Sequence, residues 1–300
     1  MPVIKYHHNL MGLQLMTNKT CLITGSSKGL GEFLAKRFWD AGYNLCLIAR
    51  SDVGLEQVVT TLPVNKKQQV ISLVCDLGDQ DQVSELSVKV RGCFSRLDVL
   101  INNAAIHGPI GPMWENDFSF WQQTMQVDLL APVFLCHSFI PWMKETGGGS
   151  IINLSGGGAT GSRPNFSAYA TAKAGLVRFS ETLAEETKPF GVRVNCIAPG
   201  AMKTALLGEI LENGSGAAGE REFTLAHKVF MEGGALMENV ADLALFLASD
   251  ASKGITGKLI SAVWDDWEHW PEHLDELSSS DVYTLRRIIG RDRGFTWGDK

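Results

Sequence analysis

Short runs of consecutive apolar residues recur along the chain at 20–24, 44–49, 70–74, 97–102, 149–154, 192–197 and 258–261. Each is too short for a typical buried helix and too continuous for a half-exposed strand, so each reads as a strand covered on both faces. Between them, apolar positions fall at helical spacing, as in Leu30, Leu34 and Phe38. Strands alternating with helices predict right-handed crossovers and an α/β fold: a doubly wound, seven-stranded parallel sheet with helices on both faces. The first six strands are expected in the order 3-2-1-4-5-6, with a ligand bound where the order reverses.

The pattern weakens in two places. Residues 205–237 form the least regular internal segment, with Asn213-Gly214-Ser215-Gly216-Ala217-Ala218-Gly219 near its centre. Its glycines suit either a mobile lid over a substrate or a plain surface loop. Residues 262–300 form a C-terminal extension with Trp264, Trp267, Trp270, Trp297 and the run Tyr283-Thr284-Leu285-Arg286-Arg287. Such rings and arginines either reach over a pocket to stack on a sugar and grip an anion, or anchor the extension to the body. Residues 114–144 read as one long, largely helical stretch. The whole, 1–300, is expected to be a single domain.

Composition narrows the class. The chain is 45% hydrophobic and 20% charged, as in a well-cored globule. A net charge of −6 leaves no electrostatic footprint for nucleic acid, and no apolar run is long enough to cross a bilayer. Residues 1–18 lack the order of charge, apolar core and small residues of a secretory signal, so a cytoplasmic protein is expected. Cys21, Cys46, Cys75, Cys93, Cys136 and Cys196 show no C-x-x-C spacing and read as reduced, mostly buried thiols. The histidines form no ligand constellation, His7-His8 being a terminal pair, and no metal is expected.

Two motifs carry chemistry. Thr24-Gly25-Ser26-Ser27-Lys28-Gly29-Leu30-Gly31 follows the first strand and opens a helix. Glycines there let backbone approach a pyrophosphate, and the helix N-terminus offers free N–H groups. Tyr169-Ala-Thr-Ala-Lys173 puts a phenol and an ammonium on one helix face. A nearby cation favours the phenolate, so Lys173 is expected to lower the Tyr169 pKa and make the pair a proton donor and acceptor.

Together these motifs resemble the short-chain dehydrogenase/reductase family, from about Thr20 to Gly257, and imply its Rossmann-type fold. Asp76-Leu77 resembles the family's adenine contact, and Asn102-Asn103-Ala104-Ala105 resembles its N-N-A-G. Asn195-Cys196-Ile197-Ala198-Pro199-Gly200 with Thr204 resembles the segment along the nicotinamide. The implied cofactor residues are Gly25, Ser27, Lys28, Gly29, Leu30, Gly31, Arg50, Asp76, Leu77, Asn103, Ala104, Tyr169, Lys173, Pro199, Gly200 and Thr204. Three positions depart from the family pattern. Gly156 stands where the catalytic serine lies, so Ser155 either substitutes for it or merely ends a strand. Asp128 replaces the relay asparagine, as a relay member paired with Lys173 or as a buried capped carboxylate. Ala105 replaces the last glycine of N-N-A-G.

NAD-preferring relatives carry an acid at the end of the second strand; here Ala49 stands there, followed by Arg50. With Lys28 this makes two cations and no carboxylate, which suits the 2′-phosphate of NADP better than NAD. The resemblance implies an oxidoreductase interconverting a secondary alcohol and a ketone on a small, sugar-like substrate, with Tyr169, Lys173, Ser155 and Asp128 as catalytic group. It also implies a homodimer or homotetramer paired through the 114–144 and Tyr169 helices. Gly156 and Asp128 keep open a cofactor-binding scaffold or sensor with weak catalysis; a lyase or epimerase using the same cleft is the third reading.

Overall fold

A computed structural model describes residues 5–6 and 18–297; the His7-His8 pair and most of the N-terminal segment lie outside the described residues. One eight-stranded sheet organises the chain: β1 (Lys5–Tyr6), β2 (Thr20–Thr24), β3 (Asn44–Ala49), β4 (Val70–Val74), β5 (Val99–Asn102), β6 (Gly149–Leu154), β7 (Val192–Ala198) and β8 (Leu259–Ser261). Their spatial order is β1-β4-β3-β2-β5-β6-β7-β8. The seven expected strands are all present and parallel, and their order reverses between β2 and β5. β1 is an addition, a two-residue edge strand antiparallel to β4 through Lys5–Ser72 and Tyr6–Ile71. Two residues carry no periodicity, which is why the sequence pattern did not show it.

Every residue of β2 and β3 is buried, as a sheet covered on both faces requires. One face packs against α1 (Gly29–Asp40) and α9 (Met237–Ala248), through Leu34, Phe38, Leu243 and Leu247. The other packs against α3 (Gln80–Cys93) and α5 (Ala131–Glu145), through Leu86, Val90, Leu135 and Phe139. α2 (Asp52–Thr61) connects β3 to β4, and Ser51 caps it by accepting from the Gly54 N–H.

The 114–144 stretch is largely helical, as expected, but it is not one regular α-helix. A 3₁₀ turn over Met113–Glu115 precedes α4 (Phe118–Met125), and a π-helical turn, Gln126–Leu130, joins α4 to α5. Pro132 has no N–H to give the Asp128 carbonyl four residues back, so regular α-helical bonding stops there. Residues 205–237 also differ from expectation: they form α7 (Ala205–Ala218) and α8 (Glu220–Glu232). Leu207, Ile210, Ala226 and Val229 give these helices an apolar face packed on Phe166 and Tyr169 of the α6 (Ser167–Thr187) region. The glycines mark the breaks instead, Gly214 at φ +73° kinking α7 and Gly219 at φ +84° ending it.

The extension is held to the body. Trp270 is buried and packs on Tyr283, their rings 4.3 Å apart, while Trp267 lies 5.1 Å from Phe246 of α9. The Leu259 N–H donates to the Tyr283 carbonyl (2.8 Å), and Lys258 Nζ to the Val282 carbonyl (3.0 Å), so the chain beyond α10 (Leu274–Ser279) lies along β8. Trp264 and Trp297 remain exposed. All six cysteines are free, five of them buried. Among the described residues no helix is long and apolar enough to cross a membrane, and no cluster of three metal-ligating side chains occurs.

Candidate active site

A cleft of about 1170 Å³ opens at the carboxyl ends of the strands, where their order reverses. One end is built from the glycine turn after β2. Gly25 has φ +65°, and a Cβ there would lie 2.8 Å from the Ala104 Cα. A Cβ on Gly31 would lie 2.2 Å from the Gly25 carbonyl oxygen, so the turn closes only without side chains at both positions. Thr24 Oγ1 accepts from the Asn103 N–H (3.0 Å) and the Ala104 N–H (3.1 Å), and Asn103 Nδ2 donates to the Thr24 carbonyl (2.9 Å). These bonds tie the β5 terminus to the turn. Lys28 precedes α1 without a side-chain cap, leaving first-turn N–H groups free for a ligand at the cleft wall.

Arg50 and Lys28 both line the cleft, both are exposed, and neither has an ion-pair partner among the described residues. Asp76 follows β4 and its Oδ1 accepts from the Gly78 N–H (2.9 Å). Pro199, Gly200 and Thr204 line the opposite wall, after β7. All sixteen residues expected around the cofactor thus line this one cleft. A backbone cradle that a Cβ at Gly25 or Gly31 would fill, a helix N-terminus and two unpaired cations fit a phosphorylated dinucleotide.

The far end carries the titratable group. Tyr169 and Lys173 lie on α6, both buried, with Nζ 5.5 Å from the phenol ring centroid. Lys173 Nζ donates to the Leu154 carbonyl (3.0 Å) and pairs with Asp128 Oδ2 at 3.4 Å. That separation makes an ion pair but not a well-formed hydrogen bond, and Oδ2 has no hydrogen-bond donor. The other oxygen, Oδ1, accepts from the Ile106 N–H (2.9 Å). Burial lifts the Asp128 carboxyl above the usual carboxylate range, against the pull of Lys173. Asp128 sits behind the cleft wall rather than in it.

The expected lowering of Tyr169 needs correction. Burial raises its phenol above the ordinary value of 10.0; Lys173 pulls it down and Asp128 pushes it back up. The lysine does act in the anticipated direction, but desolvation of the closed pocket outweighs it.

Gly156 explains its own lack of a side chain. A Cβ there would lie 2.2 Å from the Tyr169 hydroxyl and 2.9 Å from Cζ. The tyrosine occupies the space that a serine would need. Ser155 continues the sheet, its N–H donating to the Ile197 carbonyl (2.8 Å), and its buried Oγ has no hydrogen-bond partner.

Several residues at this end had no signal in the sequence. His107 is buried, lines the cleft, and meets Tyr169 edge to face at 5.1 Å between ring centroids. Its Nδ1 lies 3.2 Å from Glu209 Oε2 on α7. Arg163 pairs with Glu222 of α8 at 2.9 Å, over the Phe166 ring. Of the four tail tryptophans only Trp264 reaches the cleft, at its mouth.

Residues 19–214 match the family model described as short chain dehydrogenase. Human dehydrogenase/reductase SDR family member 4 is 29% identical over 248 residues, covering 82% of this chain and 86% of that one. The 3-oxoacyl-[acyl-carrier-protein] reductase FabG of Chlamydia trachomatis is 31% identical over 247 residues, covering 82% and 96%. The crystal structure of YwfH, an NADPH-dependent reductase involved in bacilysin biosynthesis, superposes with a TM-score of 0.74 at 27% identity, covering 82% and 97%.

Proposed function

Because the chain belongs to the short-chain dehydrogenase/reductase family, we propose that it is an NADP(H)-dependent oxidoreductase interconverting a secondary alcohol and a ketone on a small, sugar-like molecule. The observation that carries the reading is one cleft with a glycine cradle at one end and the Tyr169–Lys173 pair at the other. Gly25, Gly29 and Gly31 let backbone approach the pyrophosphate, Arg50 and Lys28 take the 2′-phosphate, and Asp76 takes the adenine side. Thr204, Pro199 and Gly200, which line the wall after β7, would hold the nicotinamide end. When bound, the nucleotide supplies the hydride to the carbonyl carbon in reduction and takes it back in oxidation.

Tyr169 gives its phenolic proton to the carbonyl oxygen in reduction and recovers it in oxidation. Lys173 compensates the phenolate charge, and the Leu154 carbonyl and Asp128 hold the ammonium in place. A raised phenol pKa in the closed site favours the protonated acid that reduction requires. Trp264 at the cleft mouth offers a ring face on which a sugar-like substrate can stack. FabG and YwfH are reductases by name, and YwfH is described as NADPH-dependent, which supports the direction and the cofactor. Exposed Phe118, Phe120 and Leu130 on α4 and the π-turn support pairing of two copies through these helices.

The test is NADPH consumption with a panel of ketones, aldehydes and keto sugars, repeated with Tyr169→Phe. Turnover lost on removal of that hydroxyl, with NADPH still bound, supports the reading. The occupied Gly156 position favours a second reading, a nucleotide-binding scaffold with slow chemistry. It predicts NADPH binding with no turnover of any panel member.

A further inference from the structure

Ser155 and Gly156 both line the cleft, but the position where the resemblance places a serine is a glycine. Tyr169 itself stands against Gly156. Ser155, the neighbouring residue, lies just past the end of β6 and is held by its N–H on the Ile197 carbonyl. Its hydroxyl is buried and has no hydrogen-bond partner.

His107 is a buried, nitrogen-bearing side chain in the same wall, and the mechanism above does not use it. It is built in from every side. Phe166 and Tyr169 meet the imidazole at 5.5 Å and 5.1 Å between ring centroids, with interplanar angles near 70° and 69°. The Ile106 N–H just before it is held by Asp128 Oδ1, the same carboxylate that pairs with Lys173. Gly108 just after it has φ +69°, and a Cβ there would lie 1.9 Å from Thr124 Oγ1, so the backbone turns sharply against α4. Nδ1 is buried without a well-formed hydrogen bond, while the Glu209 carboxylate, on the helix over the substrate end, lies 3.2 Å away. A buried imidazole with one nitrogen beside a carboxylate and no other partner is an unexplained cost unless it meets a ligand.

We propose that His107 is a catalytic residue that supplies the hydrogen bond a serine would give: Glu209 holds the imidazole at Nδ1, and Nε2–H donates to the substrate's reacting oxygen beside the Tyr169 hydroxyl. The assignment rests on the oxidoreductase reading above. Two donors then converge on one oxygen, Tyr169 to transfer its proton and His107 to hold the oxygen and stabilise its developing charge. Glu209 lies on α7, whose Leu207 and Ile210 share a packed cluster with Tyr169, so the carboxylate is held in place beside the imidazole. Glu209 and Tyr169 meet the ring directly, Asp128 feels its charge with Lys173 beyond it, and Arg163 lies over the Phe166 and Tyr169 rings that flank it.

The experiment uses NADPH with whichever panel carbonyl the unaltered protein reduces, and compares His107→Ala, His107→Gln, Glu209→Gln and Ser155→Ala. His107→Ala is expected to lower kcat about 100-fold or more, the loss typical of removing one donor to a developing oxyanion. NADPH affinity, read by fluorescence titration, stays within about twofold, because the cradle lies at the other end of the cleft. His107→Gln, which keeps a donor, recovers kcat to within about tenfold of the unaltered protein. Glu209→Gln loses about tenfold in kcat, and Ser155→Ala less than about threefold. His107→Ala within about threefold of the unaltered kcat, or a loss confined to NADPH affinity, overturns the assignment while the oxidoreductase reading stands. So does a Ser155→Ala loss larger than that of His107→Ala. An unaltered protein that binds NADPH but reduces no panel member defeats both together.

Discussion

Replacing Gly156 by alanine tests the geometry of the site most directly. The added Cβ would stand 2.2 Å from the Tyr169 hydroxyl, 2.9 Å from Cζ and 3.0 Å from Cε1, where ordinary contact begins at 3.4 Å. The hydroxyl must therefore retreat by about 1.2 Å, or the 156 backbone must shift by as much. Retreat is obstructed, because His107 lies against the ring and Tyr169 is packed in one apolar cluster with Leu207 and Ile210. Overpacking of this kind costs about 1–3 kcal/mol, and a displacement near 1 Å at a reacting group costs about 100-fold in rate. Gly156→Ala is thus expected to lower kcat about 100-fold and the unfolding temperature by a few degrees, with NADPH affinity unchanged. The assay is steady-state NADPH oxidation with a reducible panel carbonyl, beside a fluorescence titration with NADPH alone and a thermal melt. Gly156→Ser carries the same methylene into the same contact, so restoring the family's usual residue is expected to bring no gain. A Gly156→Ala protein within about threefold of the unaltered kcat, or a faster Gly156→Ser protein, would show that the working tyrosine stands elsewhere.

Arg50→Ala and Lys28→Ala are each expected to weaken NADPH binding about tenfold or more while leaving NADH binding unchanged, by titration of each nucleotide; equal losses for both would remove the 2′-phosphate assignment. Asp128→Asn deletes a charge that raises the Tyr169 pKa, so the limb of the kcat/KM profile set by that phenol moves to lower pH; an unmoved limb would separate Asp128 from the chemistry. Burial pushes the Cys75, Cys136 and Cys196 thiols up to about 12 from an ordinary 9.0. On unfolding they ionise near the lower value, so the native state is favoured below about pH 9 and loses that advantage as pH rises toward about 12. The decline is at most about 1.4 kcal/mol per pH unit for each thiol. Urea midpoints at about pH 8 and pH 10 measure it, and a midpoint that does not fall would contradict the burial of these thiols.

What could be read from the chain in advance was whatever a few adjacent residues settle among themselves. The strands from Thr20 to Ser261 announce themselves because a parallel strand covered on both faces must be apolar throughout. The cradle is equally local, since Gly25, Gly29 and Gly31 lie within one turn and the backbone there tolerates no Cβ at the first and last of them. Four-residue spacing on a helix places Tyr169 and Lys173 on one face whatever surrounds them. By contrast, residues 205–237 look irregular because glycines dominate the eye, yet those glycines only punctuate two amphipathic helices whose apolar face exists for Phe166 and Tyr169.

Tertiary structure decided the rest, and the reason is distance along the chain. His107 and Glu209 are about a hundred residues apart, and nothing near either one marks it until α7 lays the carboxylate against the imidazole. From the sequence Asp128 could pair with Lys173 or simply be a buried capped carboxylate; the π-turn over Gln126–Leu130 and the packing of α6 make it buried and paired at once. The chain's order of residues determined a nucleotide cleft with a tyrosine–lysine pair in it. Packing decided how acidic that tyrosine is and which side chain stands beside it, because desolvation and cross-chain contacts exist only once distant segments have closed around the site.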